Sequence, residues 1–172
     1  FFQTGSTANI GTSGLPPVST DGRYVAFVSA ADDLAPEDNS DFRNIYLRDT
    51  VANSTTLVSA PDGSTDGTAN NEESNLPTVS GNGRYVAFTS EADDLAPTDN
   101  SDFRNVYLRD TVANVTTLVS APDGSSDGSA NNATSDQPSI SPDGQFVVFD
   151  SFADDLAPDD NEIHQDVYLR HA

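Results

Sequence analysis

Gly83-Arg84-Tyr85-Val86-Ala87-Phe88 decides the fold, because the chain holds it in three versions. Gly22-Arg23-Tyr24-Val25-Ala26-Phe27 stands 61 residues earlier, and Gly144-Gln145-Phe146-Val147-Val148-Phe149 stands 61 residues later. Asp32-Asp33-Leu34-Ala35-Pro36, Asp93-Asp94-Leu95-Ala96-Pro97 and Asp154-Asp155-Leu156-Ala157-Pro158 keep the same period. So do Ile45-Tyr46-Leu47-Arg48, Val106-Tyr107-Leu108-Arg109 and Val167-Tyr168-Leu169-Arg170. The register runs over residues 15–170 without insertion or deletion, and a fixed period of this kind marks a repeat architecture.

Around that period, composition narrows the function. The 28 acidic residues face seven basic ones, all of them Arg, for a net charge of −21. Such a surface repels nucleic-acid phosphates and anionic membranes, which excludes both as partners. It suits a self-repelling soluble surface, or one that bound cations neutralise. Cysteine is absent, so no disulfide framework, thiolate metal site or thiol nucleophile exists. Methionine is absent too, which fits an exposed, oxidising environment. No apolar run approaches the roughly 18 residues of a spanning helix, and no membrane insertion is expected. The chain opens on Phe1-Phe2-Gln3 without a basic leader region, as a processed protein does. An extracellular, secreted or cell-surface location is expected, with the periplasm as the alternative.

Helical periodicity is missing. Short Val, Ile, Tyr, Phe and Thr runs alternate with Gly, Pro, Asn and Asp clusters, which is the pattern of strands and turns. Each repeat reads as four strands, over 17–19, 23–29, 44–48 and 55–59 in the first copy. Asp21-Gly22, Asn82-Gly83 and Asp143-Gly144 supply the left-handed backbone of a tight hairpin. The second strand is apolar on both faces, so both faces are expected to be covered. An acidic loop over 32–41 precedes the third strand. The polar segment 60–75 reads as a surface crossover. A repeated four-stranded meander buried on both faces describes a propeller blade; a β-solenoid is the competitor.

Ser141-Pro142-Asp143-Gly144-Gln145-Phe146-Val147-Val148-Phe149, followed by Asp166-Val167-Tyr168-Leu169-Arg170, resembles the TolB-type β-propeller repeat. The Asp-Asp-Leu-Ala-Pro loops resemble a bacterial secreted subgroup of that family. The resemblance covers residues 15–170 and implies an all-β fold of three four-stranded blades; it implies no particular activity. The blades are expected at 15–75, 76–136 and 137–172, with 1–14 as an N-terminal strand-donor segment. Propellers close with roughly four to eight blades, so three need completion. Phe1, Phe2, Gln3 and Thr4 are expected to complete the third blade of a neighbouring chain, which lacks its last strand. Two chains then give a six-bladed ring, and a non-closing rotation gives an open strand-exchanged filament. The bland alternative is a piece of a longer propeller.

Two loops are candidates for Ca²⁺. Asp62, Ser64, Asp66, Gly67 and Glu73 have the spacing of an EF-hand loop, without flanking helices. In the second copy Thr134 stands where Glu is needed. The other candidate precedes the third strand: Asp38, Ser40 and Asn44; Asp99, Ser101 and Asn105; Asp160, Glu162 and Asp166. Oxygen donors alternate there, as hard cations require, and the third copy is richest in carboxylates. The repeated Asp-Asp pairs read first as turn and capping groups. Arg43, Arg48, Arg104, Arg109 and Arg170 read as charge compensation between blades. Asn53, Asn114 and Asn132 open glycosylation tripeptides on turns or surface loops.

For hydrolysis there is little, since only His164 and His171 exist and no nucleophile elbow accompanies them. The expected function is a non-enzymatic extracellular structural protein that self-assembles, as a homo-oligomer, fibre or surface layer. The alternative is a binding module presenting loops to a glycan or protein ligand, stabilised by Ca²⁺, and a hydrolase comes third.

Overall fold

The computed structural model describes residues 16–31, 33–35, 42–64, 70–97, 99, 102–123, 131–160 and 164–172. These form three antiparallel sheets and, among the described residues, no helix. The first sheet holds β1 (Tyr24–Ser29), β2 (Asn44–Asp49) and β3 (Ser54–Leu57), in that order. The second is a four-stranded meander of β4 (Ser74–Val79), β5 (Tyr85–Ser90), β6 (Asn105–Asp110) and β7 (Val115–Leu118). The third holds β8 (Ser135–Ile140), β9 (Phe146–Ser151) and β10 (Asp166–His171), with β9 in the middle. Among the described residues only the middle blade shows four strands. In the first, the described part of the counterpart of β4 makes a single bridge, Val18 to Val25.

Each hairpin turn is built from the Ser-x-Asp/Asn-Gly string. In the middle blade Ser80 Oγ donates to Asn82 Oδ1 at 2.9 Å and accepts from the Tyr85 amide at 3.0 Å. Asn82 Oδ1 also accepts from the Arg84 amide at 3.0 Å. Ser19 with Asp21, and Ser141 with Asp143, repeat the arrangement. The glycine then turns the chain at φ 73°, 75° and 76° in Gly22, Gly83 and Gly144, where a side chain would be strained.

The first strands of the second and third blades begin earlier than expected, and each runs through a proline at a bulge. Ser74 and Asn75, assigned above to the crossover, open β4, so the boundaries at 75/76 and 136/137 cut through strands. Pro77 and Pro138 sit at a bulge, between Asn75 and Thr78 and between Asp136 and Ser139, where a missing N–H is tolerated. The crossover is also not wholly superficial. Asn70 and Asn131 are buried and donate to Ser74 Oγ at 3.0 Å and Ser135 Oγ at 2.6 Å.

Blades stack face to face through two apolar clusters. Ala26, Ile45, Leu47 and Val58 of the first blade meet Val86, Phe88, Tyr107 and Leu118 of the second. Ala87, Val106, Leu108 and Val119 on the second blade's other face meet Ile140, Val147, Phe149 and Tyr168 of the third. Alternating side chains of β5 thus serve two different interfaces, as its doubly apolar pattern requires. Stacked Phe–Tyr pairs recur inside each blade: Phe27–Tyr46, Phe88–Tyr107 and Phe149–Tyr168, at 5.6, 5.8 and 5.7 Å between centroids.

Candidate functional site

The most informative chemistry lies between blades, where four contacts recur. An aromatic ring of one blade lies on a glycine of the next: a Cβ on Gly83 would stand 2.1 Å from the Tyr24 ring, and one on Gly144 2.5 Å from the Tyr85 ring. Here glycine is needed for close approach as well as for the turn. Backbone amides form a ladder, Thr20 N–H to Gly81 O at 3.1 Å and Gly81 N–H to Pro142 O at 2.8 Å. Arginines bridge outward, Arg43 to Glu73 and Arg104 to Asp136 at 3.1 Å.

The fourth contact seats each crossover on the following blade. Asp62 N–H donates to Leu95 O at 2.9 Å, and Asp123 N–H to Leu156 O at 3.0 Å. Arg109 reaches over the same segment to the carbonyls of Pro61 and Ser64, at 3.2 and 3.3 Å. Arg170 reaches Ala121 O at 3.4 Å and pairs with Asp123 at 3.1 Å. So Arg109 holds backbone carbonyls, whereas carboxylate pairing was expected of it. Burial disfavours its charged form and lowers its pKa. In the first blade Arg48 instead bonds Thr55 Oγ1 at 3.1 Å and Asn53 Oδ1.

Those predicted Ca²⁺ ligands that are described serve mainly contacts within the protein. Asp62 Oδ1 accepts from the Thr116 amide at 3.1 Å, while Glu73 pairs with Arg43, and Asp66 lies outside the described residues. In the other loop Asn44 and Asn105 are buried and accept from Ser59 Oγ at 2.8 Å and Ser120 Oγ at 2.9 Å. Asp99 lies beside the Tyr107 hydroxyl and Asp160 beside that of Tyr168, whose pKa burial and the carboxylate push up. These contacts tie the loop to its sheet. Asp166 is exposed at the start of β10. Asp38, Ser40, Ser101 and Glu162 lie outside the described residues, as do Phe1, Phe2, Gln3 and Thr4. Among the described residues no three His, Asp or Glu side chains gather closely enough to hold a metal.

Other candidates have places. Asp93 and Asp154 accept from Asn71 Nδ2 at 2.6 Å and Asn132 Nδ2 at 2.5 Å, so these carboxylates anchor the crossovers. Asn53 and Asn114 occupy hairpin tips at φ 57°. His171 stands edge-on to Phe146 at 5.3 Å. An open acidic cleft of about 320 Å³ is lined by Asn71, Glu72, Glu91, Asp93 and Asp102.

The two ends of the stack differ from its interior. On the third blade's outer face Val167 and Leu169 are 75% and 60% exposed, where their counterparts Val106 and Leu108 are 0% and 6%. Phe146, Val148 and Phe152 are exposed on the same blade. Gln165 stands where Arg43 and Arg104 bridge, and Pro142 has no N–H to continue the ladder. At the other end Val18 is 53% exposed, and a Cβ on Gly22 would meet no atom within 4 Å. Phe152 and Gln165 stand out in sequence, as departures from their repeat counterparts Glu91 and Arg104; the other residues went unread, and laying Gly22, Gly83 and Gly144 beside Tyr24, Tyr85 and Phe146 was the available signal.

No protein-family model matches the chain, and no curated protein matches it. Among solved structures it is similar to TolB from Acinetobacter baumannii, at 15% identity and TM-score 0.51, over 94% of this chain and 30% of that one. It is also similar to a protein described as TolB from Agrobacterium tumefaciens, at 20% identity and TM-score 0.49, over 93% of this chain and 47% of that one. The chain spans less than half the length of either structure. The first likeness shows the fold, which is that of TolB-type propeller blades in an open arrangement.

Proposed function

We propose that these TolB-like blades form a non-enzymatic structural module that works by joining other copies of itself at its open ends. The observation that carries the reading is the uncovered outer face of the third blade, where Val167 and Leu169 meet solvent although their counterparts are core. A contiguous apolar face is a docking surface before it is anything else. The edge of β10 away from β9 offers a second route, strand exchange. A closing rotation gives a ring, and a non-closing one a fibre or surface layer. The acidic surface suits an extracellular setting, with the periplasm as the alternative.

Light scattering across a concentration series, with electron microscopy of the same samples, tests this. Rings or filaments are expected. At −21 per copy, added salt shifts the equilibrium toward assembly by screening repulsion. A chain that stays monomeric at millimolar concentration and high salt overturns the reading. The acidic cleft favours a second one, a Ca²⁺-stabilised module for a glycan or protein ligand. Titrating Ca²⁺ into EDTA-treated protein decides that: heat and a raised melting temperature support it, and neither overturns it.

A further inference from the structure

We infer that the joint between copies is head-to-tail, with Phe146 of one copy seated on Gly22 of the next. The inference rests on the self-assembly reading above and specifies its interface. Tyr24 covers Gly83 and Tyr85 covers Gly144, so each internal joint uses one ring from the earlier blade and one glycine from the later. This leaves one unmatched member of each kind among the described residues. Phe146 is 39% exposed on the outgoing face, and Gly22 keeps open space where the other two glycines are filled.

The surroundings of the two match in the same way. At the joint between the second and third blades, β5 packs against β8, and Ile140 beside Val147 is only 9% exposed. The counterpart of Ile140 at the incoming end is Val18, exposed and bridged to Val25. The counterpart of Ala87 at the outgoing end is Val148, also exposed. A joint that repeats the internal geometry therefore places Phe146 and Val148 of one copy over Gly22 and Val18 of the next. It differs from internal joints in holding no ladder bond from Pro142 and no arginine bridge from position 165, so apolar burial carries it.

Two variants test the polarity. Phe146→Asp removes the ring, and Gly22→Asn fills the slot while tolerating positive φ, as Asn53 and Asn114 do at 57°. Each alone is expected to lose self-association by about tenfold to a hundredfold, the scale of one buried aromatic. Mixed in equal amounts they restore one intact joint, and light scattering reads a species of two chains. Phe146→Tyr, which restores the repeat residue, assembles as the parent does. Should Gly22→Asn fail to fold by circular dichroism, Val18→Asp replaces it as the slot-blocking variant. If the parent assembles but the mixture does not pair, or Gly22→Asn assembles unimpaired, the head-to-tail joint is overturned and self-assembly stands. If the parent never assembles, both fall.

Discussion

Val106-Tyr107-Leu108-Arg109 and Val167-Tyr168-Leu169-Arg170 are nearly one sequence in two environments. In the middle blade both faces of the strand are closed, and Val106 and Leu108 belong to the core shared with the third blade. In the third blade only the incoming face is closed, through Tyr168, and Val167 and Leu169 meet solvent. Strand formation is indifferent to this, since both segments pair in the same register with the preceding strand. Pairing and period belong to the repeat, whereas burial belongs to the neighbour. The energetic worth of a residue in this chain therefore depends on its blade more than on its identity.

The largest effect that follows is a contrast between equivalent truncations. Leu108→Ala removes side-chain atoms from a filled interface and should cost about 2–5 kcal/mol in urea denaturation. Leu169→Ala should change the stability of the dispersed chain by no more than about 0.5 kcal/mol, while weakening assembly. Equal losses at the two positions would mean that the outer face of the third blade is covered within the chain.

A smaller contrast concerns the arginines that end the third strands. Arg109 is buried against crossover carbonyls and Thr116 Oγ1, the last at 2.9 Å. Arg109→Met strands those carbonyls, and about 1–3 kcal/mol should be lost. Arg48 is only half-buried and bonds within its own hairpin, so Arg48→Met should cost less than about 1 kcal/mol. Proteolysis offers a second readout. With Arg109 replaced, cleavage in the crossover near Pro61 should quicken, and with Arg48 replaced it should not.

These contrasts also explain what was legible in advance. The Ser-x-Asp/Asn-Gly turns were, because every bond of Ser80 and Asn82 lies within a few residues in sequence. The start of β4 was not, because Pro77 argues against a strand and only the bulge reconciles the two. Gly83 was read for its turn alone. Its second reason, the Tyr24 ring, comes from 59 positions away in sequence and shows only when blades are stacked. The spacing of Asp62 and Glu73 was legible, but not that Asp62 accepts from the Thr116 amide and Glu73 pairs with Arg43, contacts that show only when blades are stacked. A signal in residues 1–14 went unused: Thr7-Ala8-Asn9-Ile10 lies 61 residues before Thr68-Ala69-Asn70-Asn71. In sequence, then, residues 7–9 of that segment match a crossover, whereas Phe1, Phe2 and Gln3 do not.

The subtlest contrast sets Asp150 against Thr89, its counterpart in the middle blade. Thr89 is fully buried and donates to Asn75 O at 3.2 Å. Asp150 places a carboxylate there, with Oδ1 buried and unpartnered among the described residues. Burial raises its pKa first and the nearby Asp136 adds to the effect, while a hydrogen bond with Gln165 opposes them. Asp136 is itself bound by Arg104 at 3.1 Å, which tempers its repulsion. A carboxylate with a raised folded-state pKa favours the fold when protonated, below the unfolded value near 3.8, and that favour is lost as pH climbs through the folded value. Asp150→Thr should accordingly stabilise the chain by about 1 kcal/mol at pH 7. The gain should shrink as the pH falls toward 4, where the parent's carboxylate takes up its proton. Urea denaturation of parent and variant at both pH values reads the difference, and a gain that stays constant with pH would assign it to packing rather than charge. The same face would be buried in the head-to-tail joint, so the variant should also assemble more tightly at neutral pH than its parent.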